Sequence, residues 1–133
     1  MRQIIVSLLA LASCGTVDFA SMDAKEFGSS PTVQALQTSA DQNLKNTLID
    51  PESLRVRWFD QQPKQAALWT GIINNGWVYG WAMRFGVNAK NRMGGYVGEK
   101  PYFVMHANGL AYTSEVGGNN NFQVNDQPAA PAK

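Results

Sequence analysis

The chain has 133 residues, with 11 Lys and Arg against 10 Asp and Glu, one histidine and one cysteine. Near-neutral charge without a basic cluster excludes the phosphate-neutralising surface that nucleic-acid binding relies on, and no polybasic arm is present for anionic lipid. A single cysteine leaves no disulfide within the chain, and a single histidine supplies a zinc site poorly, so no metal or other cofactor is expected.

The first fourteen residues set the compartment. Arg2 precedes the apolar run Ile4-Ile5-Val6-Ser7-Leu8-Leu9-Ala10, the layout of a secretory leader, with a basic end and a short apolar segment. A permanent membrane span needs about 20 apolar residues, more than this run holds. The run ends in Leu11-Ala12-Ser13-Cys14: a branched aliphatic residue, two small ones and the only cysteine. This stretch resembles the lipobox of bacterial lipoproteins. The resemblance implies cleavage between Ser13 and Cys14, a diacylglycerol thioether on Cys14 and acylation of the new amino group. At about 0.8 kcal/mol per buried CH₂, several chains on one residue make such an anchor lasting. Gly15 rather than an aspartate follows, which by resemblance to enterobacterial lipoproteins implies the outer membrane, with the body in the periplasm or displayed at the surface.

Loss of residues 1–13 from the 133 leaves 120 residues with ten basic and ten acidic side chains, one domain by length. Residues 14–30 are polar and small, closing with Gly28-Ser29-Ser30 before Pro31, and read as a flexible lipidated tether. From Pro31 the pattern turns helical. Ser30 can cap, Pro31 suits the first turn, and Val33, Leu36, Ala40, Leu44 and Leu48 share one face, with Asp41 and Lys45 an i,i+4 pair. Pro51 ends the helix near Ile49-Asp50.

The remainder of residues 31–116 predicts an antiparallel meander of four to five strands on which the helix packs, an α+β fold. Leu54–Phe59 alternates, with Leu54, Val56 and Trp58 inward and Arg55 and Arg57 outward. Gln65–Ile73 is a second candidate, and Asn74-Asn75-Gly76 turns into a third over Trp77–Phe85. Tyr102–Ala107, the Asn108-Gly109 turn and Leu110–Val116 form a hairpin. Residues 117–133 read as a flexible tail in which Phe122 and Val124 can add one more contact.

One block departs from ordinary strand and turn chemistry: Val87-Asn88-Ala89-Lys90-Asn91-Arg92-Met93-Gly94-Gly95-Tyr96-Val97-Gly98. Asparagine side chains accept from nearby backbone N–H groups and hold turns open, and glycines permit backbone geometry closed to other residues. Such a loop presents Asn88, Lys90, Asn91, Arg92 and Tyr96 to an anion, a glycan hydroxyl or a partner's backbone; exposed turn charge, or pairing of Lys90 with Glu99, is the plainer reading. Together with Asp50-Pro51-Glu52-Ser53, the block resembles a segment of a group of small bacterial exported proteins of unassigned function, over about residues 31 to 107. Where that group often carries Cys-Gly, this chain has Phe85-Gly86, so no thiol role is implied.

Catalysis needs a nucleophile with a base, a metal, or two carboxylates. His106 with Ser53 or Ser114 and Asp60 or Glu115 would supply one set, and Asp60 with Glu99 or Glu115 the other. Yet no serine sits in a nucleophile-elbow context and a histidine in an alternating strand is usually structural. Trp58, Trp69, Trp77 and Trp81 read chiefly as core, with Trp77 and Trp81 able to stack on sugar rings. The expected function is that of a membrane-anchored, non-enzymatic binding or structural lipoprotein of the cell envelope, with an envelope protein or glycan as partner. The alternatives are a tethered inhibitor or exclusion factor against an incoming hydrolase or phage component, and a peptidoglycan-acting enzyme.

Overall fold

The computed structural model describes residues 16–47, 51–71, 76–117 and 121–126. One helix, α1 (Val33–Thr47), packs on an open antiparallel sheet of six strands: β1 (Arg55–Trp58), β2 (Lys64–Trp69), β3 (Trp77–Asn88), β4 (Lys100–Ala107), β5 (Leu110–Glu115) and β6 (Asn121–Val124). The α+β expectation holds, with a sixth strand added.

The Thr32 hydroxyl accepts from the Ala35 N–H at 3.0 Å, so Thr32 caps α1. That places the cap two residues later than Ser30, and Pro31 outside the helix. Leu36, Ala40 and Leu44 are its fully buried residues, and Asp41 and Lys45 pair at 3.1 Å on the wet side. Leu48 and the expected stop at Ile49-Asp50 lie outside the described residues, as do the expected strand end over residues 72–73 and Asn74 and Asn75 of the turn.

β3 is the spine. Its first half pairs with β2, from Trp69↔Trp77 to Lys64↔Ala82, and its last four residues pair with β1, from Trp58↔Phe85 to Arg55↔Asn88. β1 and β2 therefore lie end to end along one edge of β3, while β4 and then β5 occupy the other. Asn108 and Gly109 both have positive φ, 53° and 80°, the geometry of the two-residue turn that matches strand twist.

Alternation along the strands divides the apolar residues between two faces. Met83, Phe85, Val87 and Val104 meet Leu36, Ala40 and Leu44 of the helix, with Leu54, Trp58 and Tyr102 at the margin. Val56, expected inward, is 41% exposed, because α1 lies chiefly over β4 and β5. On the other face Ala66, Leu68, Ala82, Phe103 and Met105 cluster with Phe122 and Val124. The rings of Phe103 and Phe122 stack 3.9 Å apart although β3 and β2 separate their strands. A flat sheet would hold those strands about 14 Å apart, so the sheet curls around this cluster.

Two segments expected to be free are docked. Within the expected tail of residues 117–133, Asn121–Val124 pairs with β2, because Phe122 and Val124 fall opposite Leu68 and Ala66 and share their face. Within the expected tether of residues 14–30, the part from Val17 to Gly28 lies on the sheet. The Val17 N–H donates to Gln123 Oε1 at 2.7 Å, and the Trp81 indole N–H donates to the Gly28 carbonyl at 3.1 Å. Phe27 is buried, its ring edge-on to Tyr79 and stacked with Phe19. Two isolated phenylalanines in a polar stretch supply that contact.

Where β1 passes to β2, Arg84 of β3 binds the buried Asp60 through its backbone N–H and its guanidinium, all at 2.8–2.9 Å. The same guanidinium reaches Asp126 beyond β6 at 2.7 and 3.1 Å, and Lys64 contacts both carboxylates. Burial works to raise the Asp60 pKa, but the hydrogen bonds and charge of Arg84, aided by Lys64, carry it below its usual value; hydrogen bonding to Arg84 lowers that of Asp126. Both carboxyls thus bind protons more weakly folded than unfolded. Their contribution is present above the unfolded aspartate pKa of about 4 and is lost as pH falls through the lower folded values. Urea titrations should show stability falling below about pH 4, with a shallower fall in Asp126→Asn. Arg84→Met, which leaves Asp60 only Lys64 and the backbone N–H of residue 84, should cost roughly 2–4 kcal/mol at neutral pH; a loss within 0.5 kcal/mol, about the scatter of surface substitutions, would show the cluster to be ornamental.

Candidate functional site

Residues 88–98 form a built hairpin between β3 and β4. Lys90 and Tyr96 pair as an antiparallel bridge, the Asn91 N–H donates to the Gly95 carbonyl, and the Gly94 N–H donates to the Asn91 carbonyl. The asparagines act on the backbone. Asn91 Oδ1 accepts from the Met93 and Gly95 N–H groups at 2.9 and 3.2 Å, and Asn88 Oδ1 accepts from the Gly98 N–H at 3.2 Å. Their side-chain carbonyls hold the hairpin's shape, as their chemistry predicts.

A second set of contacts ties the hairpin to the 3₁₀ turn Pro51–Ser53. Ser53 Oγ accepts from the Lys90 N–H and the Ser53 carbonyl accepts from the Tyr96 hydroxyl, each at 3.1 Å. The Arg55 guanidinium lies 4.0 Å over the Tyr96 ring and the Lys90 ammonium 5.6 Å from it, cation–π contacts that hold the ring flat. The outcome is a hydrogen-bonded backbone with exposed side chains: Lys90, Arg92, Met93 at 90% exposure and Val97 at 55%.

Glu99, a possible partner for Lys90, instead takes Arg57 in a two-bond fork at 2.7 and 3.1 Å. That hydrogen bonding lowers the Glu99 pKa and raises that of Arg57. Gly86 makes the seat, since a Cβ there would stand 2.4 Å from the Glu99 carboxyl carbon. Between the hairpin and the last turn of α1 lies a cleft of about 250 Å³, lined by Lys90, Asn91, Lys100 and Tyr102 with Val87 and Val97 among its apolar walls. Burial, then the charge of Glu115, raises the Tyr102 pKa, so its hydroxyl stays protonated at neutral pH. Lys100 escaped the sequence reading because it opens an ordinary strand.

The residues considered for catalysis are dispersed. Ser53 serves the hairpin, Asp60 and Glu99 are each bound to an arginine, and Glu115 stands opposite Tyr102 on β5. His106 meets a serine not considered from the sequence: Ser39 Oγ of α1 lies 2.8 Å from its Nε2. Burial lowers the His106 pKa, favouring the neutral ring, which can accept the Ser39 proton. The contact ties helix to sheet. Of the tryptophans, Trp58 packs on Phe85 at 4.5 Å, Trp81 lies under Gly28, and Trp69, 40% exposed, meets Trp77 edge-on at 5.5 Å. Trp69 flanks a second cavity of about 550 Å³ whose described lining, including Asn43, Asn46 and Tyr112, carries no carboxylate or basic side chain.

Among the described residues no group of three His, Cys, Asp or Glu side chains could hold a metal ion, and no helix is long and apolar enough to cross a membrane. No family model, no curated protein and no solved structure matches this chain. The likenesses of the leader and of the hairpin block therefore rest on those residues alone.

Replacing Asn91 with alanine removes the acceptor for two N–H groups. Amide hydrogen exchange at Met93 and Gly95 should accelerate strongly, while global stability changes by less than about 1 kcal/mol because the site is exposed. Lys90→Ala should leave both quantities unchanged. Unaltered exchange in Asn91→Ala would mean that the asparagine does not shape the hairpin.

Proposed function

We propose that this chain is a lipid-moored protein of the bacterial envelope whose body holds another envelope component through the 88–98 hairpin. The observation that carries the binding role is a backbone pinned by side-chain and backbone hydrogen bonds that leaves Lys90, Arg92, Met93 and Val97 facing outward. A pinned loop loses little conformational freedom when a partner docks, and exposed methionine and valine beside cations offer both apolar area and charge.

The mooring follows from Leu11-Ala12-Ser13-Cys14 and from the docked segment behind it. Two residues, Gly15 and Thr16, separate Cys14 from Val17, whose N–H is bound to Gln123; at 3.8 Å per Cα step the three steps reach at most about 11 Å. An acylated Cys14 thus holds the body against the bilayer on its β6 side, with no long tether. Gln123 stands level with Ala67 and Tyr79 across the sheet, nine residues before Asn88 along β3. At about 3.3 Å per residue the hairpin lies about 30 Å along the strand from the attachment level, clear for a partner.

Photo-crosslinking in intact envelopes tests this reading. A benzophenone side chain at Met93 should give a discrete adduct that the same group at Asn108, on the exposed turn between β4 and β5, does not. Cys14→Ser should move the full chain from the membrane to the soluble fraction. Absence of any Met93 adduct, or a variant that still sediments with membranes, would count against the binding role and the mooring respectively.

A further inference from the structure

We infer that the outer edge of β1 is a docking site for an extended segment of another protein in which apolar and acidic side chains alternate. The site stands apart from the hairpin's proposed role and needs no acyl group on Cys14.

The ladder defines the edge. Arg55, Val56, Arg57 and Trp58 stand opposite Asn88, Val87, Gly86 and Phe85, and the next residue, Phe59, donates its N–H to the Arg84 carbonyl at 3.0 Å. In an antiparallel pair every second residue exchanges hydrogen bonds with its opposite, so Arg55, Arg57 and Phe59 turn their backbone groups toward β3 while Val56 and Trp58 turn theirs away. Among the described residues β1 pairs with β3 alone, and none takes up those outward groups. The other two edges of the sheet are attended: Asn43 of α1 donates to Thr113 on β5, and the Val17 N–H donates to Gln123 on β6. On the bare edge Arg55, Val56 and Arg57 are exposed in succession. Val56 at 41% and Phe59 at 40% exposure offer apolar area, by alternation on opposite faces.

Natural sheets blunt an open edge with charged side chains laid over it. Here the arginines point the other way. Arg57 reaches across β3 to Glu99 at 2.7 and 3.1 Å, over Gly86, where a Cβ would stand 2.4 Å from the Glu99 carboxyl carbon. Arg55 lies 4.0 Å over Tyr96 of the hairpin that follows β3. Both side chains are drawn inward, and the backbone edge is left uncovered.

Charge then selects the occupant. Arg55 and Lys90 both stand at the Tyr96 ring, and neither lies within ion-pair distance of a described carboxylate. A strand with an acidic residue opposite Arg55 or Arg57 and apolar residues opposite Val56 and Trp58 matches both faces. A second copy of β1 does not, because the two-fold register that pairs Val56 with Trp58 sets Arg57 opposite Arg57. Residues 127–133 of the chain itself include Pro128 and Pro131, which have no N–H to give a ladder.

The test is an amide-shift NMR titration of the full chain in maltoside micelles at low ionic strength, with a capped octapeptide of alternating valine and glutamate in one arm and of valine and lysine in the other. The glutamate peptide should give saturable shifts centred on residues 55–59 and protect the Val56 and Trp58 N–H groups from exchange; the lysine peptide should give none there. Val56→Pro removes one outward N–H and should abolish binding. Because that N–H makes no bond to β3, the strand tolerates the change, and the unbound spectrum verifies it. Arg55→Gln, at an exposed side chain, should weaken binding about twofold to fivefold, while Met93→Ser on the hairpin should leave it unchanged. Equal binding of the two peptides, shifts centred on β5 or β6, or binding indifferent to Val56→Pro or to Arg55→Gln would overturn the site. So would the same shifts on concentrating the chain alone, the result that a second copy on this edge would give.

Discussion

Arg84 and Asp60 hold the point at which one edge of β3 changes partner. β1 leaves that edge at Trp58 and β2 joins it at Lys64, so the chain between must step off and back within five residues. The Phe59 and Asp60 N–H groups both donate to the Arg84 carbonyl, and the Asp60 carboxylate receives the Arg84 backbone and guanidinium in return. A buried carboxylate is costly unless its lone pairs are filled, and here one arginine fills them. Everything distal depends on that step. It lets a single twelve-residue strand carry the helix-facing cluster in one half and the Tyr79 and Trp81 platform in the other. The guanidinium also reaches Asp126, tying the last described residue to the same node.

That arrangement separates two ends of the sheet. Near β2 and β6 the sheet receives the segment from Val17 to Gly28 through Gln123, Tyr79 and Trp81. At the far end of β3 the backbone leaves the sheet at Asn88 and is folded back by Asn88, Asn91 and Ser53. The charges follow the same division: residues 16–30 carry Asp18, Asp23 and Glu26 against Lys25, whereas the hairpin end is basic. The end nearest Cys14 and the hairpin end proposed for recognition therefore differ in both chemistry and position.

What could be read from the residues was whatever is local in sequence. The spacing of Val33, Leu36, Ala40 and Leu44 gives α1, the Asn108-Gly109 pair gives its turn, and the asparagines of the hairpin announce backbone-holding chemistry. What could not be read depends on distant partners. Phe19 and Phe27 have no periodicity of their own and gain meaning only against Tyr79. Phe122 and Val124 make too short an alternation to outweigh the polar residues around them until Leu68 and Ala66 are placed opposite. Ser39 and His106 are 67 residues apart, so nothing in either neighbourhood signals their contact. The candidate loop was visible, but Lys100, which completes the cleft, was hidden as the first residue of a strand.

An anchor at Cys14 would seat the body directly on the bilayer by its β6 side and hold the hairpin away from it. The most direct measurement is quenching by brominated lipids of a fluorophore placed at Ala20 or at Met93 in the reconstituted full-length protein. Strong quenching at Ala20 with little at Met93 is the predicted result. Equally weak quenching at both positions, as a body swinging on a long tether would give, contradicts it.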